Sequence, residues 1–268
     1  MPAYRNLIIA VLNVKDCFVY KSNYQINYLL SKKFYIDIKL FQKKIYLIRC
    51  NLFQTLSLNY SPVLIECKNY KILKYAKNYG LILSAGLSER MGKFKPLLSY
   101  KGKSFIQNVV VKMSSVCDKI IIVTGHKANE VLEDVSGLNI SSKIEFVFNS
   151  EYEKGMFTSL QAGLQKAGES EWVLYHLVDQ PGLPDEFYKE FVQQIDDKYN
   201  WVQPKVNEHK GHPVLIHKSL VQHILSASGD SILREVSNSK LVKKKFWECR
   251  YEEIFQDIDT EEDYSGLK

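Results

Sequence analysis

The chain has 268 residues, enough for one α/β domain of ordinary size, or for a smaller domain plus an appendage. Its 46% hydrophobic and 25% charged residues are those of a soluble globular protein, and no apolar run approaches the ~18 residues that span a bilayer. The formal charge of +6 is unevenly spread: residues 1–75 carry twelve Lys/Arg against three Asp/Glu, so the remainder is net negative and the chain as a whole is not a basic nucleic-acid binder.

The early run "NLIIAVLNV" is too short for a convincing signal peptide and no small-residue cleavage site follows it, so a cytoplasmic location is expected by default. The five cysteines are scattered and odd in number, with no CxxC pair. This speaks against a zinc site and a disulfide framework, and for reduced thiols.

Residues 1–75 are rich in Lys, Tyr, Asn, Ile and Leu and contain no glycine. "FYIDIKLF", "KIYLIRC" and "PVLIEC" read as short strands, but separating turn residues are sparse. Three readings stay open for this extension of unknown role: a small accessory domain, a segment that packs poorly on the rest, or a stretch upstream of a natural start near Leu73 to Tyr79. From residue 76 onward the pattern becomes regular. "YGLIL" is a strand, "KSFIQNVVVKMSSV" a helix, "KIIIVTG" a strand buried on both faces, "KANEVLEDV" a helix and "KIEFVFN" a strand. "MFTSLQAGLQKAG" is a helix, "EWVLYHLVD" a strand, "QPGLP" a turn and "DEFYKEFVQQI" a helix. "WVQPKV" and "HPVLIH" are strands, "KSLVQHIL" and "SILREV" helices, and "LVKKKFWE" a late strand. The alternation predicts a three-layer, Rossmann-like α/β domain over 76–268, with a mostly parallel, mixed central sheet and helices on both faces.

In such a sheet ligands bind beyond the carboxyl ends of the strands. Three loops there are chemically unusual: Ser84 to Lys95, Asn149 to Met156, and Asp179 to Pro181. In the first, Ala85 and Gly86 let backbone N–H groups approach a ligand closely, and Arg90, Lys93 and Lys95 add positive charge. That combination suits a polyphosphate. It is not a P-loop, because five residues rather than four separate Gly86 from Gly92 and Phe94 follows Lys93. No GxGxxG occurs, so kinase, GTPase and dehydrogenase readings lose their main support. Asp179 ends an apolar strand directly before Gln-Pro, where a carboxylate points into the crevice and is a natural Mg²⁺ ligand. Asp185 is better placed to cap the following helix. Asp230 is a candidate second ligand, with capping of "SILREV" as its alternative.

The stretch Leu83-Ser84-Ala85-Gly86-Leu87-Ser88-Glu89-Arg90-Met91-Gly92, continued by Lys95, Leu97 and Leu98, resembles the (L)(A/S)AGxSxRMGxxKxLL signature of nucleotidyltransferases, in particular the molybdenum cofactor cytidylyltransferases among MobA-like NTP transferases. Further likenesses follow in the family's order: "GMFTSL" from Gly155, "VDQP" from Val178, "GHPVLI" from Gly211, "SGDSILRE" from Ser228 and "DIDTEEDY" from Asp257. Ser231-Ile232 stands where the family has a second glycine.

The resemblance implies nucleotidyl transfer, with a phosphate monoester attacking the α-phosphorus of an NTP and pyrophosphate leaving. Leu83, Ser84, Ala85, Gly86, Ser88, Arg90, Lys95 and Asp179 would bind nucleotide, with Arg90 and Lys95 catalytic. Gly155, Met156, Thr158, Ser159, Gln180, Gly211 and His212 would bind the second substrate, and Asp179 and Asp230 would hold Mg²⁺. Lys93 lies between motif residues, His126 reads as a turn residue at the site's edge, and Asn149 as a turn residue. The "DIDTEEDY" carboxylates are expected to start the last helix. The guanylyl branch carries L-A-G-G where this chain has Leu83-Ser84-Ala85-Gly86, so the cytidylyl branch is favoured, with CTP and molybdopterin as substrates and a molybdoenzyme as a further acceptor. Three alternatives stay open: a guanylyltransferase, a transferase acting on another phosphorylated small molecule, and a non-catalytic nucleotide-binding chaperone of a molybdoenzyme.

Overall fold

A computed structural model describes residues 77–267 and, upstream, six strand segments between Ile8 and Cys67. The chain divides into two compact units, Met1–Tyr75 and Ala76–Lys268. In the first, β4 (Phe34–Phe41) pairs antiparallel with β1 (Ile8–Leu12) and with β5 (Lys44–Cys50). In the same unit β2 (Cys17–Lys21) pairs antiparallel with β3 (Tyr24–Ile26) and with β6 (Leu64–Cys67). The three expected strands are β4, β5 and β6; how well this segment packs lies outside the described residues.

The second unit is built on an eight-stranded sheet. β7 (Asn78–Ser84) lies between β10 (Lys119–Thr124) and β12 (Trp172–Leu177), parallel to both, and β11 (Ile144–Phe148) extends β10 in parallel. Beyond β12, β15 (Val214–His217) runs antiparallel, then β13 (Trp201–Val206), which pairs with β14 (His209–Lys210) and in parallel with β16 (Lys244–Glu248). A small hairpin, β8 (Ser99–Tyr100) and β9 (Lys103–Ser104), stands apart.

Helices cover both faces, which is why "KIIIVT" is an unbroken β-branched run rather than an alternating one. On one side α1 (Phe105–Ser114), α2 (Ala128–Ser136) and α4 (Asp185–Val192) pack on Ile82, Ile120, Ile122 and Leu174. On the other, α3 (Met156–Lys166), α5 (Val221–Leu225) and α6 (Leu233–Ser237) pack on Leu81, Leu83, Val123 and Tyr175. The chain closes with α7 (Glu261–Gly266). The start of α1 is specified locally: Ser104 Oγ accepts from the Gln107 N–H at 3.1 Å and Gln107 Oε1 accepts from the Ser104 N–H at 3.4 Å. Asp185 makes no capping hydrogen bond to α4; Pro184 holds the cap position and Asp185 sits in the first turn, where its charge favours the helix dipole. None of the helices among the described residues is long and apolar enough to cross a membrane.

The chain moves outward from β7 to β10 and β11, then returns to lay β12 against the other side of β7. Strand order therefore reverses between β7 and β12, and the crevice at their carboxyl ends is the switch point where open α/β sheets bind ligands. Leu83 is in register with Leu177, so the loops beginning at Ser84 and Val178 leave the sheet side by side.

Candidate active site

A cleft of about 410 Å³ opens at that switch point, lined by Leu83 to Arg90, Lys95, Asp179 and Asp259, with Gly155, Met156 and Ser159 on its far wall. The loop after β7 turns on Ser88, whose backbone is left-handed (φ 59°), an uncommon conformation for a residue with a side chain. Ser88 Oγ accepts the Lys95 N–H at 3.1 Å, closing the loop on itself. This places Lys95, only 9% exposed, beneath the cleft floor.

Lys95 Nζ donates to Asp259 Oδ1 in a very short contact and stands 4.0 Å from Asp179 Oδ2. Arg90 reaches the other oxygen of Asp259 at 2.8 Å, and Lys93 pairs with Glu261 at 2.6 Å. All three cations of the loop are thus held by carboxylates of the C-terminal segment. The sequence reading assigned those carboxylates to starting the last helix. Three of them do so: Glu261, Glu262 and Asp263 lie in its first turn, and Thr260 and Asp263 cap it, with Thr260 Oγ accepting from the Asp263 N–H at 3.2 Å and Asp263 accepting from the Thr260 N–H at 2.8 Å. A T-x-x-D box at 260–263 was legible, and it leaves Asp257 and Asp259 without a capping task.

The Asp179 carboxyl is pushed up to about 6, first by burial, with Asp257 and Asp259 adding to the shift and Lys95 opposing it. Its Oδ1 is buried with no hydrogen-bond partner, and so are Ser84 Oγ and Gln180 Oε1. An unpaired buried carboxylate oxygen beside a second carboxylate fits a hard divalent cation. Among the described residues no group of three or more His, Cys, Asp or Glu could hold a metal, so the protein would offer one or two oxygens and leave the rest to phosphate and water, as Mg²⁺ accepts.

The residues expected to meet the second substrate separate into two groups. Gly155 starts α3 at φ 118°, a conformation open to glycine, and Met156 follows it, 57% exposed. Both line this cleft and also a larger cavity of about 790 Å³, which contains His212, Trp201 and Asp230. The other group is engaged in internal hydrogen bonds and close packing, with Ser159 also lining the smaller cleft. Thr158 Oγ bonds the carbonyls of Glu151 and Gly155 at 3.0 and 2.9 Å and also accepts from Asn149 Nδ2. Asn149 also donates to Ser159 Oγ at 2.9 Å, so it ties the 149–156 loop to α3 and is more than a turn residue. Gln180 turns away from the cleft to donate to Ile254 O at 3.1 Å and Asp257 Oδ1 at 2.7 Å. A Cβ on Gly211 would lie 2.5 Å from Ile254 O, so glycine is required there for close packing. Burial lowers the His212 pKa, with Asp257 pulling against it, so the ring is neutral near neutral pH. His126 packs edge-on against Phe94 at 5.5 Å, and its N–H holds Ala85 O at 3.1 Å, as fits a turn residue at the edge.

Asp179 and Asp230, expected to share a metal, line different cavities. Asp230 does not cap α6 either: Ile232 holds that position, and its N–H is taken by Glu235 at 3.3 Å. The carboxylate that accompanies Asp179 is Asp259, since Lys95 contacts both.

The small-residue loop after β7, the buried Lys95 and the Asp179 carboxylate, one oxygen of which has no hydrogen-bond partner, meet at the switch point of a mixed α/β sheet. The family model for the MobA-like NTP transferase domain matches residues 80–244, and the chain belongs to that family; it is a nucleotidyltransferase. It is 27% identical over 190 residues to the molybdenum cofactor cytidylyltransferase of Escherichia coli, covering 70% of this chain and 94% of that protein. It is likewise 27% identical over 195 residues to a probable molybdenum cofactor guanylyltransferase of Bacillus cytotoxicus, with the same coverage of each. Among solved structures, a nucleotidyl transferase from Methanothermobacter shares the fold with a TM-score of 0.60 at 21% identity, over 71% of this chain and 95% of that one.

Proposed function

We propose that this protein is a Mg²⁺-dependent CTP:molybdopterin cytidylyltransferase, forming molybdopterin cytosine dinucleotide and pyrophosphate. The observation that carries this reading is the juxtaposition of Lys95 and Asp179, 4.0 Å apart at the mouths of β7 and β12, in a cleft that shares the Gly155–Met156 wall with a second, larger cavity. Two adjoining cavities suit a transfer between two bound molecules.

The acceptor's phosphate oxygen forms a bond to the α-phosphorus, and the bond from that phosphorus to the bridging oxygen breaks, its electron pair leaving with pyrophosphate. Backbone N–H groups from Ala85 to Ser88 cradle the triphosphate. Lys95 and Arg90 neutralise the charge on the attacked phosphate and on the leaving group, the main contribution a protein makes to such transfers. Both are tied to Asp259, so nucleotide binding exchanges these ion pairs for phosphate contacts. Asp179, with Asp259 once released, would hold Mg²⁺, which when bound offsets charge on the phosphate oxygens. His212, neutral and facing the larger cavity, would orient the acceptor.

Ala85 in the phosphate loop and the Gln180–Pro181 and Gly211–His212 pairs favour the cytidylyl branch. The equal similarity to a guanylyltransferase makes GTP the second reading. The deciding experiment is pyrophosphate release from CTP, GTP and ATP with molybdenum-loaded molybdopterin. Preference for CTP, dependent on the pterin, is expected. Preference for GTP would move the protein to the guanylyl reading, and release from none would overturn the proposal.

A further inference from the structure

The larger cavity carries more positive charge than a single transferred phosphate requires. Lys210 from β14, Arg234 from α6 and Lys244 from β16 line it, together with Lys154, which is paired with Glu151; Asp230 is the one carboxylate in the lining. None of the first three cations makes an ion pair among the described residues. Several other lysines of this domain are paired: Lys205 with Glu208 and Glu248, Lys119 with Glu145, Lys77 with Glu169.

Contacts position two of the three groups. Lys244 Nζ donates to Asn238 Oδ1 at 3.2 Å, and Asn238 caps the helix that carries Arg234. Lys210 Nζ lies 4.6 Å from the centre of the Phe246 ring, two residues along β16 from Lys244. Burial, and then the charge of Lys210, lower the Lys244 pKa. Like charges gathered on one cavity with a single carboxylate, Asp230, in its lining raise each other's energy, and an anion in the cavity relieves this. Arg90, Lys95 and Asp179 line the other cleft, so the acceptor's attacking phosphate must sit toward the shared Gly155–Met156 wall.

We propose that Lys210, Lys244 and Arg234 form a second anion subsite, which receives an oxyanionic group of the acceptor distinct from the phosphate that attacks the nucleotide. The inference rests on the transferase reading for the identity of the acceptor, but not for the existence of the subsite. On this reading the acceptor carries negative charge at two points, and the subsite sets its direction in the cavity. A molecule with the attacking phosphate alone would bind weakly or in more than one orientation. The planar wall at Trp201 and Tyr175, and the exposed Met156 and Ile232, would take the apolar body between the two charges.

Trp201 supplies an internal reporter, because it lines this cavity and not the nucleotide cleft. The probe is inorganic sulfate, titrated into the full chain at constant ionic strength in EDTA, followed by tryptophan fluorescence. Saturable binding is expected for the wild type. It should weaken about 10-fold in Lys210→Gln/Lys244→Gln, the scale of losing charge-assisted contacts, and stay unchanged in Lys95→Ala. Lys244→Arg should retain binding, which guards against a misfolded double variant. No saturable binding, binding unaffected by the double variant, or binding abolished by Lys95→Ala would each overturn the subsite. The second arm is steady-state transfer: the double variant should raise the KM for the acceptor about 10-fold with the KM for nucleotide unchanged. Loss of sulfate binding without that KM change would confine the lysines to adventitious ion binding and overturn their acceptor role. If the wild type transfers nucleotide to no acceptor, the transferase reading fails while the sulfate titration still decides the subsite.

Discussion

Asp179→Asn should stabilise the protein while disabling it. The native carboxyl shifts from 3.8 to about 6 on folding, a little over two pK units, which corresponds to about 3 kcal/mol spent on holding the ionised group in the fold. The side chain is 21% exposed, so solvent screens little of this. Above about pH 6 the carboxylate is ionised in both folded and unfolded chains, and the full cost applies. Below about pH 4 it is protonated in both, and the cost vanishes. The amide carries no charge at any pH. Its advantage should therefore be absent at low pH, grow between about pH 4 and 6, and level off near 3 kcal/mol. For a domain of this size that is a rise in Tm of about 6–12 °C at pH 8. The assay is thermal unfolding of both proteins at pH 4, 6 and 8 in EDTA, so that no cation stabilises the wild type. An Asn variant no more stable at pH 8, or a gain independent of pH, would refute the reasoning.

The same shift sets a pH limit on catalysis: transfer should fall about tenfold per unit as pH drops below about 6, because the protonated Asp179 cannot hold a divalent cation, and pH profiles of kcat/KM at fixed Mg²⁺ would show it. Lys95→Ala should lower turnover by at least ~10²-fold without unfolding the domain, checked by kinetics beside circular dichroism; wild-type rates would remove Lys95 from the site. Gly163→Ala places a Cβ 2.2 Å from Leu81 and 2.8 Å from Val123, forcing α3 off the sheet. After the ~1 kcal/mol helix gain of alanine, a net loss of about 1–2 kcal/mol is expected in urea unfolding.

Much of this protein is written locally. The α/β alternation, the run "KIIIVT" that needs two covered faces, the Ser104–Gln107 box and the loop from Ser84 to Lys95 all arise from short-range rules, so the sequence alone specified the fold class and the phosphate loop. The sheet order placed Asp179 beside that loop, and the strand pairing of β7 with β12 supports the placement.

What only the tertiary structure decided lies far apart along the chain. Asp259 is 164 residues from Lys95, yet it neutralises both Lys95 and Arg90. No periodicity or spacing rule brings such residues together; the final segment does so by returning across the β12 loop, where the Ile258 N–H meets the Asp179 carbonyl at 3.0 Å. Asp230, expected as Asp179's companion, lines a different cavity, since a motif names a carboxylate but not the cavity it enters. The gathering of Lys210, Arg234 and Lys244 was equally hidden, because two strands and a helix contribute one cation each. Local sequence determines which elements form and which chemistry they carry. Long-range packing determines which charges meet, and Coulomb energy depends on that separation in space rather than along the chain.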